Sequence, residues 1–376
     1  MATITYPNLM EIDFGAIKAL GAALERNGIK RPLICTDKGI VASGIFDTVR
    51  GVLPNEVAPA SFDGTPSNPT EAAVQEALEV YREHGCDGIV AVGGGSSIDL
   101  GKGVALLASH EGPIANWSAV SGGRSRIGPA PPIIAIPTTA GTGSEVGGGC
   151  VIITEDGQKI VIGSPNLLPK MAICDPELTL GLPKTLTAAT GMDAMAHCIE
   201  AYLTPAVNPP AAAIGLDGLE RVVTYLPRAV TDGQDRDARW HMMMAASEGA
   251  MAFAKGLGCV HSMSHAIGAD PDLQAHHGTL NAVLLPTVLR LNAPHVGDKY
   301  ARLRRAMGLE EGADIAEWIT DFNRQLELPA NLGEMGVTAE MVPSLATHCL
   351  TDACHFANPV QPTQEEYEAL FHEAIG

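Results

Sequence analysis

Short apolar runs alternate with helical patterns through the first half of the chain. The run from Pro32 to Thr36 is typical of a strand and leads through Asp37 into a helix. Residues 86–109 repeat the order of strand, glycine turn and helix. Strands that alternate with helices build parallel sheets covered on both faces. This half of the chain therefore predicts a mostly parallel α/β sheet.

The second half has a different periodicity. Apolar residues recur at helical spacing in stretches that begin at Thr187, Ala211, Arg239 and His277, with Pro or Gly between the stretches. A chain of 376 residues also exceeds the size at which single hydrophobic cores stop growing. We therefore expect two domains, the second of them helical.

Side chains that bind metals are concentrated between Gly191 and Gly278, namely Asp193, His197, His261, His265, His276 and His277. Asp193 and His197 are spaced i,i+4, as are His261 and His265, so each pair occupies one face of a helix. One carboxylate with several imidazoles suits Fe, Zn, Ni or Co. A lone histidine is more often a core or surface residue, but the paired spacing favours a metal site. Ser262 follows His261, which excludes the HExxH protease signature.

A glycine turn at residues 93–97 is the second chemical feature. Glycines let the backbone approach a ligand closely, and the amides that open the next helix suit a phosphate. The turn matches neither GxGxxG nor the Walker pattern, so a plain tight connection remains the alternative. Asp37 could accept hydrogen bonds from an adenosine ribose and repel a 2′-phosphate, or it could simply cap a helix.

Composition excludes several classes of partner. The chain has 24 basic and 43 acidic residues, a net charge of −19, which argues against nucleic acid or an anionic membrane surface. Its eight cysteines include no CxxC pair, which is typical of reduced thiols in a cytoplasmic protein. No signal-like segment or long uncharged apolar run occurs. We expect a soluble, cytoplasmic protein.

Four collinear motifs resemble the iron-containing (group III) alcohol dehydrogenase family: GGGSSID, IPTTAGTGSEV, GMDAMAHCIEAY, and HSMSHAIG followed by HHGTLNAVLLP. The resemblance implies a Rossmann-like α/β dinucleotide-binding domain over residues 1–180 and an all-helical metal-binding, catalytic domain over 181–376. It also implies a catalytic cleft between the domains. NAD would be the cofactor and Fe²⁺ the metal, although the site would also accept Zn²⁺ or Ni²⁺. The protein would be a homodimer or a larger homo-oligomer.

The same resemblance assigns residues. The family's metal ligands fall on Asp193, His197, His261 and His277, and its proton-moving histidine falls on His265. The cofactor positions fall on Asp37, Asn68, Gly94, Gly95, Ser96, Thr138, Thr139, Thr142 and Lys159, with Asn68 and Lys159 the weaker matches. The segment before His277 is slightly longer than in well-known members, which leaves His276 as a rival ligand. Val360 stands where the family often has arginine.

These assignments predict metal-dependent, NAD-linked interconversion of an alcohol and its aldehyde or ketone. A cation on the alcohol oxygen makes the alkoxide accessible at neutral pH, and His265 relays the proton. The ligand set leaves the ion a formal charge of +1. Alternatives are activities like glycerol dehydrogenase, maleylacetate reductase or dehydroquinate synthase, or a nucleotide- and metal-binding protein without turnover. The substrate and the roles of Arg124, Arg126 and Cys354 remain open.

Overall fold

A six-stranded parallel sheet forms the frame of the first half of the chain. The computed structural model describes residues 8–270, 273 and 275–376. The sheet has the order β1-β8-β5-β4-β2-β3, and β6 and β7 form a separate antiparallel pair. The strands are β1 (Leu9–Ile12), β2 (Pro32–Cys35), β3 (Ala60–Phe62), β4 (Gly88–Gly93), β5 (Ile133–Pro137), β6 (Gly149–Ile153), β7 (Lys159–Gly163) and β8 (Met171–Cys174).

Both faces of this sheet are buried. Leu33 and Ile89 contribute to one hydrophobic cluster, and their chain neighbours Ile34 and Val90 contribute to another. Successive side chains of a strand point to opposite faces, so continuous apolar strands need a cover on each side. The predicted parallel α/β sheet is confirmed.

The helices of this half are short except for two, and polar residues cap several of them. They are α1 (Leu20–Arg26), α2 (Lys38–Ala42), α3 (Ile45–Gly51), α4 (Glu71–Glu83) and α5 (Gly95–Ser109). The Thr70 side chain accepts a hydrogen bond from the Ala73 N–H at the start of α4. Gly94 precedes α5 and has no side chain with which to cap its amides.

The second half is helical, as predicted. Its helices are α6 (Lys184–Leu203), α7 (Pro209–Thr231), α8 (Arg236–Ala252), α9 (Cys259–Gly268), α10 (His277–Asn292), α11 (Lys299–Ala306), α12 (Ile315–Gln325), α13 (Val342–Cys349) and α14 (Gln364–Ile375). Helix α6 is the central element, since all of its residues from Thr187 to Leu203 are buried. A helix that is buried on every side supplies core contacts in all directions.

The chain divides into two compact units of contacts. One contains residues 8–139 and 143–181, and the other contains residues 140–142 and 182–376. All eight cysteines are free and buried. Within the described ranges, no helix combines the length and the apolar character that a membrane crossing needs. Part of the lengthened segment before His277 lies outside the described residues.

Candidate metal centre

Three helices bring together the four predicted ligands. Asp193 and His197 lie one turn apart on α6, His261 lies in the first turn of α9, and His277 begins α10. The Asp193 Oδ1 atom is 3.6 Å from His197 Nε2, 3.8 Å from His261 Nε2 and 3.6 Å from His277 Nε2. One carboxylate oxygen therefore faces three imidazole nitrogens.

These distances fit a small divalent ion. Bonds of roughly 2.0–2.2 Å to a tetrahedral ion place neighbouring ligand atoms about 3.4 Å apart. Ligand atoms of Asp193, His197 and His261 all lie within 4.8 Å of one another, and all three residues are buried. Among the described residues, no lysine or arginine forms an ion pair with Asp193. A buried carboxylate needs a compensating charge, and a cation at this point would supply it.

The imidazoles differ in their electrostatic surroundings. Burial lowers the pKa of His197 to about 4, although the Asp193 carboxylate acts in the opposite direction. Burial also favours the neutral form of His261, but the hydrogen bond and negative charge of Glu200 outweigh it and raise the pKa of His261. The His197 imidazole is therefore neutral at physiological pH. The protonation of the His261 imidazole depends on the nearby Glu200 carboxylate.

The first turn of α10 packs directly on α6. A side chain at Gly278 would place its Cβ 2.2 Å from the Ala189 carbonyl oxygen, so only glycine permits this approach. One turn later, the amide nitrogen of buried Asn281 donates to Asp193 Oδ1 at 2.7 Å. The same nitrogen is 3.2 Å from Nε2 of both His261 and His277. Asn281 thus holds Asp193 Oδ1 in place.

His265 lies beside these predicted ligands and has its own acidic partner. Its ring centroid is 5.6 Å from that of His277, and the two rings are stacked. Its Nδ1 atom is 2.9 Å from Asp352 Oδ2, while Asp352 Oδ1 accepts from the Cys354 N–H at 2.7 Å. Burial raises the pKa of Asp352, but His265 and the Cys354 N–H outweigh burial and lower it. Asp352 is therefore anionic at neutral pH.

The predicted cofactor residues, except Thr142, belong to the other unit. Gly93 has φ +147°, and a Cβ there would lie 2.5 Å from Ser97 Oγ. The Thr138 N–H donates to the Gly93 carbonyl, and Thr139 lies 3.5 Å from the Cβ position of Gly94. This turn leads into the uncapped amides of α5, which include those of Gly95 and Ser96. The arrangement can hold a pyrophosphate.

Two further contacts join predicted cofactor residues. Asp37 Oδ1 accepts from the Ile40 N–H at 3.0 Å, and its Oδ2 accepts from the Ser97 hydroxyl at 3.3 Å. Asp37 is therefore a helix cap whose second oxygen faces the glycine turn. The Lys159 ammonium donates to Asn68 Oδ1 at 3.1 Å.

Lys102 has buried polar partners that the sequence did not indicate. Its ammonium is fully buried and donates to the Ser144 and Gly149 carbonyls at 2.7 and 2.6 Å. Asp99 lies 3.7 Å away and accepts a hydrogen bond from the Ser144 hydroxyl. The pair therefore ties α5 to the loop that follows Thr142.

Arg126 also has a local packing role. Its guanidinium lies 5.6 Å from the centre of the Trp117 ring and donates to the carbonyls of Asn116 and Ser121. These contacts stabilise the Gly/Pro-rich segment of residues 119–132, in which Gly123–Ser125 form a short 3-10 turn.

Three polar residues at the centre were not identified from the sequence: Glu200, Asn281 and Asp352. Glu200 and Asn281 had a usable signal, because Glu200 is three residues after His197 and Asn281 is four after His277 on the same helices. Asp352 had no such signal, since it is 87 residues from His265.

Comparison with known proteins identifies one family over nearly the whole chain. Residues 7–176 match the family described as iron-containing alcohol dehydrogenase, and residues 187–375 match the C-terminal part of the Fe-containing alcohol dehydrogenase family. The 4-hydroxybutyrate dehydrogenase of Cupriavidus necator is 54% identical over 387 residues, and the alignment covers 100% of both chains.

Solved structures give the same result. A crystal structure of 1,3-propanediol oxidoreductase has a TM-score of 0.93 and 37% identity, covering 99% of this chain and 100% of that one. Sulfoacetaldehyde reductase from Bifidobacterium kashiwanohense, solved with NAD+, has a TM-score of 0.88 and 26% identity, with 100% and 99% coverage. Since one family accounts for both halves of its length, the chain belongs to the iron-containing alcohol dehydrogenases, NAD-dependent oxidoreductases that use a divalent metal, typically iron.

Proposed function

We propose that this protein interconverts a short primary alcohol and its aldehyde at the centre formed by Asp193, His197, His261 and His277. The observation that carries the proposal is the buried Asp193 oxygen within 3.8 Å of three imidazole nitrogens. The short distance between His277 and Asp193 supports His277 rather than His276 as the fourth ligand.

The protein's own residues then have distinct tasks. A divalent ion bound by the four ligands supplies Lewis-acid polarisation of the substrate oxygen, and NAD supplies the hydride acceptor. Asn281 holds Asp193 through a hydrogen bond of 2.7 Å. His265 accepts the alcohol proton, and Asp352 keeps the hydrogen of that imidazole on Nδ1. The burial of Asp193 and His261 keeps bulk water away from the ligand atoms.

The proposed nucleotide site uses the glycine turn of the other unit. Gly94, Gly95 and Ser96 would hold the pyrophosphate on the first amides of α5. Thr138, Thr139, Thr142, Asn68 and Lys159 would complete the site, as the family resemblance implies.

The proposed substrate is an ω-hydroxy acid of the 4-hydroxybutyrate type. The proposal rests on the relative at 54% identity, which is a 4-hydroxybutyrate dehydrogenase. Removal of hydride and proton from the terminal carbinol of 4-hydroxybutyrate gives 4-oxobutanoate, a reaction that leaves the carboxylate unchanged. The carboxylate would then serve for recognition.

A substrate panel tests this proposal directly. Anaerobically purified protein is assayed with NAD and 4-hydroxybutyrate, butan-1-ol, 1,3-propanediol or lactate, and its metal is measured on the same sample. A charge-assisted contact to the carboxylate should favour 4-hydroxybutyrate over butan-1-ol by about 10- to 100-fold in kcat/KM. A preference for 1,3-propanediol would refute the hydroxy acid only, whereas full activity in metal-free protein would refute the metal centre.

Asp37 provides a test of the nucleotide site. Replacement by serine should retain the helix cap, because serine is a good N-cap residue, but should remove the negative charge. We expect the NAD-over-NADP preference in kcat/KM to fall by roughly 10- to 100-fold, since the carboxylate no longer repels the 2′-phosphate. Asp47→Ser, in α3, is the control and should leave the ratio unchanged. An unaltered ratio in Asp37→Ser would assign the carboxylate to capping alone.

We further propose that the protein is cytoplasmic and forms a homodimer or larger homo-oligomer. Eight buried free thiols support a reducing compartment. Oligomerisation is proposed from the family resemblance, and light scattering of the purified protein would test it. A molar mass of one chain, 39.2 kDa, would contradict it.

A further inference from the structure

Glu200 is a buried acid on the same helix as two proposed metal ligands. It follows Asp193 by seven residues and His197 by three on α6, so the three side chains share one helix face. Its side chain is 2% exposed. In the described part of the chain, no lysine or arginine forms an ion pair with it, and its ion-pair partner is His261.

Both carboxylate oxygens of Glu200 contact the first turn of α9. Oε1 accepts from the Val260 N–H at 2.7 Å, and Oε2 is 2.6 Å from His261 Nδ1. The glycine that precedes α9 makes this contact possible. A Cβ at Gly258 would lie 2.8 Å from Glu200 Oε1 and 2.4 Å from Asn358 Oδ1. The absence of a side chain at Gly258 therefore allows the Glu200 carboxylate to lie against Nδ1 of His261.

The contact determines which nitrogen of His261 can bind a metal. An ionised carboxylate only accepts hydrogen bonds, so the hydrogen of the imidazole must be on Nδ1. The lone pair of the neutral ring is then on Nε2, the atom that lies 3.8 Å from Asp193 Oδ1. A carboxylate behind a ligating imidazole also increases its basicity.

The same contact changes the charge at the centre. Asp193 alone would leave a divalent ion with a formal charge of +1, but Glu200 lies one imidazole away and adds a second negative charge. The charges of Asp193 and Glu200 together equal in magnitude that of one divalent ion, while a third carboxylate, Asp352, pairs with His265. Without the ion, Glu200 is stabilised by its contacts with the Val260 N–H and His261, and a nearby divalent ion would add an opposite charge.

We propose that Glu200 is a positioning residue that fixes His261 in the tautomer required for ligation and, by its charge, strengthens divalent metal binding. This inference rests on the proposed metal centre. It predicts a change in metal affinity, a quantity that can be measured without turnover.

The test is a competition titration of Zn²⁺ and Co²⁺ against a chromophoric chelator. Glu200→Gln keeps the size of the side chain but loses the charge and one acceptor, so we expect its metal Kd to rise by about 10- to 100-fold. Glu71→Gln is the matched control. Glu71 is another buried acid that accepts two backbone N–H groups, from Ile114 and Glu155, in the other unit. Its Kd should equal that of the wild type.

A spectroscopic measurement distinguishes a specific effect on His261 from a general loss of protein stability. The visible bands of the Co²⁺-loaded protein should shift in Glu200→Gln and remain unchanged in Glu71→Gln, because only the former changes the hydrogen-bond partner of a proposed ligand, His261. Circular dichroism establishes that each variant is folded. If Glu200→Gln does not fold, Glu200→Asp replaces it, because it keeps the charge and shortens the reach, and a smaller rise in Kd is expected.

The outcomes test the proposed metal centre and the proposed role of Glu200 separately. Wild-type protein that binds no divalent ion would overturn the proposed metal centre together with this role of Glu200. Wild-type protein that binds one equivalent, with an unchanged Kd and unchanged bands in the folded Glu200 variant, would overturn the positioning role alone. An equal weakening in Glu71→Gln would also overturn it, because the effect would then be one of stability.

Discussion

Asp193→Asn should abolish metal binding and alcohol oxidation together while the protein remains folded. Asparagine has the size of aspartate, and its side-chain oxygen can still accept the hydrogen bond that Asn281 donates at 2.7 Å. The substitution removes the only negative charge among the proposed ligands. Metal polarisation contributes several kcal/mol to such a reaction, so we expect kcat/KM to fall by at least about a thousandfold.

Metal content and kcat/KM are measured on the same anaerobic preparation, before and after Fe²⁺ is added back. Asp237→Asn is the control, because Asp237 is an exposed residue of α8 whose ion pair with Arg228 contributes little to stability. The control should retain metal and activity. An Asp193→Asn protein that is fully active without metal would refute the metal-dependent scheme and favour chemistry like that of maleylacetate reductase.

Local patterns were enough to predict much of this centre. The i,i+4 spacing of Asp193 and His197 follows from helix geometry alone, and the structure places both side chains at one point. The same rule was incomplete for His261 and His265. His261 Nε2 faces Asp193, whereas His265 pairs with Asp352, and their ring centroids are 6.0 Å apart. Helical spacing predicts that two side chains share a face, but it does not predict that both bind the same metal ion.

Contacts between distant segments were not predictable from the sequence. Glu200 and His261 are 61 residues apart, and Lys102 contacts carbonyls more than 40 residues further along the chain. Such contacts depend on how helices and loops pack, and a single sequence contains no periodicity that reports packing. The predicted formal charge of +1 counts only the proposed ligands and takes no account of Glu200, which lies behind His261.

Asp352→Asn should slow turnover while the metal stays bound. The amide oxygen can still accept from His265 Nδ1, so the ring keeps its orientation, but the negative charge that stabilises the protonated imidazole is lost. We expect kcat to fall by roughly a hundredfold. The charge interaction with His265 that helps to lower the pKa of Asp352 is lost as well, so the pH dependence of kcat should change.

The measurement is kcat against pH for the wild type, Asp352→Asn and His265→Ala, with metal content determined for each. The amide cannot accept from both His265 and the Cys354 N–H, so a loss of about 1–3 kcal/mol in the free energy of unfolding should accompany the change. Asp321→Asn, at an exposed residue of α12, is the control. Because the effect of Asp352 is expected to act through His265, the double variant Asp352→Asn, His265→Ala should be no slower than His265→Ala alone. Additive losses, or loss of metal from Asp352→Asn, would show instead that Asp352 supports the ligands and not the proton relay.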